Sequence, residues 1–297
     1  MYSKQALREL GINEPLHEPH RQALERDGFY IVEGVLTAEQ CDQMAAEFDR
    51  LHDQEQDRGG HEVHIEPTAK RVSNIFNKSS VFDACLEITT LLQASHELLG
   101  EFKLHGANLR EPLPGGGHQD LHADVPKKFA DDWWVSNAVV AFDDITLDNG
   151  PMRAVPGSHH WQPINVAAVN VFDWIEPSLT EEEKARVPED LSKPYPGEKL
   201  VTCKKGSVVI INSCLWHSGT LNTSGNRRRV LHLTYTRRDL PQQLVQRKFL
   251  TDELYNRMSP AQRYLMDIEP LREGESPMLE SAGRGSNDWW AVESTES

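Results

Sequence analysis

The segment Gly115-Gly-Gly-His-Gln-Asp-Leu-His-Ala-Asp-Val125 contains two His-x-Asp pairs placed four residues apart. The first pair is His118 with Asp120, and the second is His122 with Asp124. On a β-strand, residues i and i+2 point to the same face, so either pair presents an imidazole and a carboxylate together. A distant histidine would complete the facial site of two histidines and one carboxylate that binds iron(II).

The distant histidine that fits this role is His217. It follows the strand-like run Val208 to Ile211 and the short apolar stretch Cys214 to Trp216. Closure of a barrel would bring its imidazole beside His122. An isolated His-x-Asp pair in a chain with 13 histidines is more often a surface pair or a satisfied core histidine, so the prediction depends on the combination.

The sequence around these motifs has the pattern of an antiparallel β protein with flanking helices. Short β-type runs separated by turn residues fill the chain from about Phe102 to Arg238, which is typical of a sandwich or barrel. The runs are Val135 to Phe142, Met152 to Val155, Leu200 to Cys203, Ser207 to Asn212, and Val230 to Thr236.

Helices are predicted before and after this β region. The run Gly28 to Leu36 predicts a strand, and Thr37 with Gln40 has the spacing of a capping box that opens a helix to about Leu51, before the Gly59-Gly60 break. Further helical patterns cover Ser80 to Leu99, Asp252 to Met258, and Pro260 to Met266. The acidic, helix-prone stretch Phe172 to Lys193, with Ser178 or Thr180 as its cap, predicts an excursion over the barrel mouth.

Length and composition predict one domain over residues 1–297, with a core at about 25–245 and a helical, partly mobile extension at 246–297 that contains Trp289-Trp290. The net charge of −15, from 31 basic and 46 acidic residues, disfavours nucleic-acid partners. The apolar runs are too short for a membrane span, and we expect no secretory signal because the first ten residues lack a continuous apolar run and a small-residue cleavage site. We therefore expect a cytoplasmic protein that acts on a small molecule, and nothing in the sequence indicates its oligomeric state.

The four cysteines of the chain are widely spaced and form no CxxC pair, which argues against a zinc knuckle or a disulfide framework. Reduced and mostly buried thiols are the expectation. They are Cys41, Cys85, Cys203 and Cys214.

An arginine downstream of His217 gives the metal site a possible co-substrate. Arg228 lies on the next strand-forming run, and its planar guanidinium is suited to bidentate capture of a carboxylate. An arginine at this place would bind the distal carboxylate of 2-oxoglutarate.

Three motifs occur together and in order: Gln119-x-Leu-His-x-Asp124, Asp148-Asn-Gly-Pro-Met-Arg-Ala-Val-Pro-Gly-Ser-His159, and His217-Ser-Gly-x-x-Asn222 followed by Arg228. In this combination the chain resembles the phytanoyl-CoA dioxygenase family over roughly residues 25 to 245. The resemblance implies a mainly β fold, a double-stranded β-helix of the jelly-roll or cupin-like type. It also implies iron(II) as cofactor, with 2-oxoglutarate and O2 as co-substrates.

The resemblance further assigns roles to individual residues. It implies that His122, Asp124 and His217 bind iron and that Arg228 anchors the distal carboxylate of 2-oxoglutarate. The family motif favours His122 with Asp124 over the competing pair at His118, although that pair stays open as an alternative. Arg71 and Asn137 are weaker candidates for contacts to the oxoacid, since either can be structural.

The activity that these expectations describe is hydroxylation of an unactivated C–H bond in a small organic or acyl substrate, with release of succinate and CO2. A carboxylate ligand at Asp124 disfavours halogenation, because halogenating relatives have a small residue there. Two other classes stay open: a cupin-like metal barrel that acts as a hydrolase, isomerase or sensor, and a noncatalytic acidic scaffold. Four tryptophans near the proposed site hint at an apolar substrate: Trp133, Trp134, Trp161 and Trp216.

Overall fold

The computed structural model describes residues 1–166 and 180–268 of the chain. The first part of the predicted excursion at Phe172, the possible cap Ser178 and the tail with Trp289-Trp290 lie outside these described residues. Within the described ranges, none of the helices combines the length and the apolar character that crossing a membrane requires.

The amino-terminal part folds as two helices, a strand and a long helix. These are α1 Ser3–Glu9, α2 Glu18–Asp27, β1 Phe29–Val32 and α3 Ala38–Glu55. The predicted capping box is present: the Gln40 amide donates to Thr37 Oγ1 at 3.1 Å, and the Thr37 amide donates to Gln40 Oε1 at 2.9 Å. Helix α3 therefore begins where the sequence predicts it and ends one turn later than Leu51.

The remaining helices are short and lie on both sides of the β region in sequence. The predicted helix over Ser80 to Leu99 is divided into a 3-10 segment, Ser80–Glu87, and a regular α-helix. Thr180 forms a capping box with Glu183, as predicted for this acidic stretch. The helices are α4 Ile75–Lys78, α5 Thr89–Leu99, α6 Glu181–Arg186, α7 Asp252–Arg257 and α8 Pro260–Met266.

Two antiparallel sheets form the centre of the fold. The strands after β1 are β2 Ala69–Val72, β3 Phe102–Pro112, β4 Val135–Ala141, β5 Met152–Ala154, β6 Lys199–Val201, β7 Val208–Asn212, β8 His217–Gly219 and β9 Val230–Arg237. The larger sheet has six strands in the order β1-β7-β4-β9-β3-β2, and the smaller has three in the order β6-β5-β8. The crossovers between them give the predicted jelly-roll core. The runs predicted from sequence did not include the long strand β3 or the short strands β2 and β8.

The strands of the large sheet have two different faces, which decides where the site lies. On β9, Leu231, Leu233 and Tyr235 pack into the main core together with side chains of α3 and α5. The alternate residues His232 and Thr234 face the space between the two sheets. Since strand side chains alternate, one face of β9 anchors the fold and the other lines a cavity.

The cysteines behave as predicted. All four are buried and free, and burial raises the pKa of the Cys85 and Cys214 thiols to about 12. They remain protonated at neutral pH and serve as small apolar side chains.

Candidate metal centre and its cavity

Two histidines from distant parts of the chain are held side by side by their own backbones. The amide of His122 donates to the carbonyl of His217 at 3.0 Å, and the amide of His217 donates to the carbonyl of His122 at 2.8 Å. His217 opens β8, whereas His122 lies in an isolated bridge rather than in the strand that the sequence predicts. This reciprocal pair places the two ring centroids 4.7 Å apart.

Hydrogen bonds to the backbone also determine which nitrogen of each imidazole keeps a lone pair for a metal ion. His122 Nδ1 lies 2.7 Å from the carbonyl of Asp120, and His217 Nδ1 lies 2.8 Å from the carbonyl of Leu215. Since a carbonyl only accepts hydrogen bonds, each Nδ1 carries the proton and each Nε2 keeps its lone pair. Such contacts from the distal ring nitrogen are typical of metal-binding histidines.

The carboxylate of Asp124 lies beside the Nε2 atoms of both histidines. Its Oδ1 is 3.7 Å from His122 Nε2 and 3.5 Å from His217 Nε2, and the three candidate ligand atoms lie within 4.8 Å of one another. Burial acts to raise the pKa of Asp124, but the two adjacent histidines, His217 first, hold it well below its usual value. The carboxylate is enclosed by protein yet 30% exposed, because it borders a cavity.

Asn137 contacts this carboxylate. Its Nδ2 donates to Asp124 Oδ2 at 3.2 Å, which leaves Oδ1 directed to the two histidines. The sequence-based prediction gave Asn137 a contact to the oxoacid, and its own Oδ1 is buried without a partner among the described residues. Orientation of Asp124 is the role that its observed contact supports.

We expect Asn137→Ala to weaken iron binding about 10- to 100-fold, as is typical when a partner that orients a metal ligand is lost. Affinity for 2-oxoglutarate, measured at saturating iron, should change little. Iron titration and 2-oxoglutarate titration of the variant check the two values. A variant with normal iron affinity and weak 2-oxoglutarate binding would instead support the oxoacid contact.

The competing His-x-Asp pair lies apart from these three candidate ligands. His118 and Asp120 are exposed, and neither side chain belongs to a cluster of potential metal ligands in the described ranges. Between them, Gln119 Oε1 accepts from the Gly219 amide at 3.1 Å, and this contact ties the segment to β8. The geometry therefore brings together His122, Asp124 and His217.

Gly219 ends β8 close to the segment that leads to His122. An added Cβ would lie 2.6 Å from the carbonyl oxygen of Gly117 and 3.1 Å from Gln119 Oε1. Contacts this short do not occur between backbone atoms and real Cβ atoms, so serine would displace the segment that leads to His122. The close approach of two backbones explains glycine at this position.

A cavity of about 340 Å³ opens beside the three ligand atoms, between the two sheets. Its lining has two different sides. Apolar side chains come from strands β4 to β7 and the loops between them: Val139, Ile145, Met152, Val201, Val209 and Ile211. Polar side chains come from β2, β3 and β9: Arg71, Asn108, Arg110, His232 and Thr234.

Arg228 lines this cavity just before β9 begins. It is 4% exposed, and no carboxylate in residues 1–166 or 180–268 forms an ion pair with it. Its Nε is buried without a hydrogen-bond partner in those ranges. Burial, followed by the charge of Arg110, lowers the pKa of Arg228 to about 9, so the site destabilises the cation and favours an anion beside it.

The neighbouring arginines have partners outside the cavity. Arg227 binds Asp49 and Glu111, and Arg229 binds Asp143 and Asp49. Both guanidinium groups therefore bind carboxylates away from the three candidate ligand atoms.

A second pair of arginines, which share one carboxylate, lies on the polar side of the cavity. Arg71 Nη1 is 3.0 Å from Glu66 Oε2, and Arg110 binds both carboxylate oxygens of Glu66, at 2.5 and 2.8 Å. Of these three residues, only Arg71 was predicted from the sequence as a site residue. Alternation of polar Asn108 and Arg110 with apolar neighbours along β3 is the pattern that indicates such a polar face.

The tryptophans do not border the cavity in the described part of the chain. Trp161 and Trp216 pack edge to face at 5.1 Å, with Tyr195 beside them, and Trp134 is buried in another small cluster. These residues stabilise the fold around the site and therefore give no support to the prediction of an apolar substrate.

A further group of potential ligands, Glu55, His61 and Glu62, lies apart from the cavity. Lys78 Nζ is 2.5 Å from Oε1 of both glutamates. The ammonium group bridges the two carboxylates and occupies the position between them, so the cluster is an internal ion-pair network.

Comparison with known proteins places this geometry in context. The model of the phytanoyl-CoA dioxygenase (PhyH) family matches residues 24–230. The ectoine dioxygenase of Bordetella parapertussis is 27% identical over 228 residues, which cover 72% of the chain and 73% of that protein. The L-proline trans-4-hydroxylase of Streptomyces griseoviridis is 27% identical over 195 residues, covering 59% and 71%.

Solved structures share the fold. EctD from S. alaskensis with bound Fe has a TM-score of 0.58 and 20% identity, covering 75% of this chain and 78% of that one. HygX from Streptomyces hygroscopicus with nickel, 2-oxoglutarate and hygromycin B bound has a TM-score of 0.56 and 16% identity, covering 76% and 89%. At these identities the similarity shows the fold alone.

Proposed function

Since this chain belongs to the phytanoyl-CoA dioxygenase family of iron(II)- and 2-oxoglutarate-dependent dioxygenases, we propose that His122, Asp124 and His217 bind its iron and Arg228 binds its 2-oxoglutarate. The reaction that follows is hydroxylation of a C–H bond in a small molecule. The reaction uses iron(II) as its cofactor and consumes 2-oxoglutarate and O2. Succinate and CO2 are released with the hydroxylated product.

The observation that carries the proposal is the guanidinium of Arg228, which lines the cavity beside the three ligand atoms and has no ion-pair partner within residues 1–166 and 180–268. A buried cation without a counter-ion costs free energy, so a fold retains it where a ligand supplies the negative charge. The distal carboxylate of 2-oxoglutarate is such a ligand, and a guanidinium binds it with two parallel hydrogen bonds.

The donor set also fits iron(II). Two imidazole nitrogens with free lone pairs and one carboxylate leave open positions on one side of the ion for a bidentate oxoacid and dioxygen. Bound iron supplies the oxidative chemistry. The protein holds both imidazoles in the required tautomer and keeps Asp124 ionised.

The cupin-like hydrolase or isomerase that the sequence left open has no use for Arg228. A zinc hydrolase needs only its ligands and an activated water. Family membership and the anion site in the cavity both favour the dioxygenase over this alternative and over a noncatalytic scaffold.

A cytoplasmic location stays part of the proposal. Its support is the set of four free, buried cysteines, which suits a reducing compartment. Localisation of a fluorescent fusion protein would test it, and a fluorescence pattern outside the cytoplasm would contradict it.

The direct test is anaerobic reconstitution with iron(II) followed by addition of 2-oxoglutarate. We expect the weak visible charge-transfer band of an iron–oxoacid chelate. Binding of iron without this band, or binding of zinc alone, would contradict the proposed function.

A further inference from the structure

The cavity wall formed by β2, β3 and β9 carries a positive charge in addition to the charge of Arg228. Arg71 and Arg110 share the single carboxylate of Glu66. Burial acts to raise the pKa of Glu66, but hydrogen bonds and charge from Arg110 and Arg71 lower it to about 2. Glu66 therefore neutralises one of the two guanidinium groups at neutral pH, and one positive charge remains.

Three buried polar atoms on the same wall have no partner within the described ranges: Arg71 Nε, Asn108 Oδ1 and His232 Nε2. Most buried polar atoms in proteins are hydrogen-bonded, so a group of such atoms around one cavity indicates ligand contacts. They are neighbours on the sheet, because Asn108 pairs with His232 and Arg71 pairs with Arg110.

These atoms differ in hydrogen-bonding character. Arg71 Nε is a donor with positive charge, which suits an anion. Asn108 Nδ2 donates to Gln243 Oε1 at 2.8 Å, so the free atom of this amide is the acceptor oxygen, which suits an N–H group. Burial, then the charges of Arg110 and Arg71, lowers the pKa of His232 to about 3, so this imidazole is neutral and adds no charge.

The cavity is also small. Its volume of about 340 Å³ lies near the lower end of the usual range for ligand sites, about 300 to 1,000 Å³. It must admit 2-oxoglutarate as well as the substrate. The space and the polar wall together favour a compact, polar second ligand over a long acyl chain.

We infer that this wall binds the primary substrate and that the substrate is a small free amino acid, with its carboxylate on Arg71 and its N–H group on Asn108. The inference rests on the proposed function, because it requires Arg228 to hold the 2-oxoglutarate. It gives Arg71 a different ligand from the oxoacid contact predicted from sequence. The apolar side chains opposite, such as Ile145 and Met152, would then face the hydrocarbon part of the substrate.

A substrate screen tests the class. The iron-loaded protein with 2-oxoglutarate is offered the common L-amino acids, each beside its carboxamide and its N-acetyl derivative, and succinate release is measured. We expect at least one free amino acid to stimulate succinate release, and its carboxamide and N-acetyl derivative to be at least about tenfold weaker. Stimulation by none of the amino acids, or equal stimulation by the carboxamides, would overturn the inference.

Variants then separate the two arginines. Arg71→Gln should raise the KM of the active amino acid on the order of 10- to 100-fold and abolish its advantage over the carboxamide. The affinity for 2-oxoglutarate and the charge-transfer band should stay as in the wild type. Lys70→Gln is the matched control, because Lys70 is the next residue on β2 and points to the other side, towards Glu111.

Failure of this inference and failure of the proposed function would give different results. A rise in the dissociation constant of 2-oxoglutarate in Arg71→Gln would show that Arg71 belongs to the co-substrate and would overturn this inference alone. Absence of the charge-transfer band in the wild type would contradict the proposed function itself. Asn108→Ala is a second test if Arg71→Gln does not fold: it should lose discrimination against the N-acetyl derivative, and retained discrimination would count against the inference.

Discussion

Asp124→Ala is expected to abolish both iron binding and turnover. The variant keeps two imidazoles but loses the anionic ligand that lies 3.7 and 3.5 Å from their Nε2 atoms. Loss of the metal removes several kcal/mol of transition-state stabilisation, so succinate formation should fall on the order of 1,000-fold or more. Iron content after anaerobic reconstitution and succinate release under air are the two measurements.

The exposed pair provides the matched control for this experiment. His118→Ala changes the first His-x-Asp pair of the same segment, where both side chains face solvent. We expect iron content and turnover close to those of the wild type. Iron loss in His118→Ala together with normal iron content in Asp124→Ala would reverse the assignment of the two pairs.

Arg228→Met is expected to have the largest effect on the co-substrate while leaving iron in place. Loss of one partner of a buried, hydrogen-bonded charge pair costs about 2 to 5 kcal/mol. The dissociation constant of 2-oxoglutarate should rise roughly 30-fold or more, and the charge-transfer band should be absent at concentrations that saturate the wild type. Titration of the iron-loaded variant with 2-oxoglutarate measures both.

The same substitution should stabilise the protein without ligands. Arg228 is buried with no ion pair in the described residues, and methionine fills a similar volume without a charge to desolvate. We expect the free energy of unfolding of the apoprotein to increase by about 1 kcal/mol or more. A decrease would mean that Arg228 has a structural role.

Arg227→Gln is the control for both effects of Arg228→Met. It removes a neighbouring guanidinium that binds Asp49 and Glu111 away from the cavity and is 43% exposed. Partly exposed ion pairs contribute about 1 kcal/mol or less. Affinity for 2-oxoglutarate should therefore remain unchanged in Arg227→Gln, with at most a small loss of stability.

Local signals in the sequence predicted much of the fold. The capping box at Thr37 and the Pro260–Met266 helix are encoded by a few adjacent residues, and the structure has both where they were predicted. The prediction was less accurate where a boundary depends on packing. The strand expected over Gly28 to Leu36 is only Phe29–Val32, because its length is set by pairing with β7.

The amino-acid sequence specifies which chemical groups are available: the His-x-Asp pairs, a distant His217 and an arginine after it. It also determined the alternation of strand residues that separates a core face from a cavity face. These features are local, and each can be recognised within a few residues.

Only the tertiary structure decided how these groups combine. The backbone pairing of His122 with His217 joins residues from distant segments and selects one His-x-Asp pair over the other. Glu66 binds both Arg110 and Arg71, whereas no carboxylate in the described part of the chain binds Arg228, because sheet register sets which side chains meet. Charge balance in a buried cavity depends on contacts between distant strands, and no single segment of the sequence contains that information.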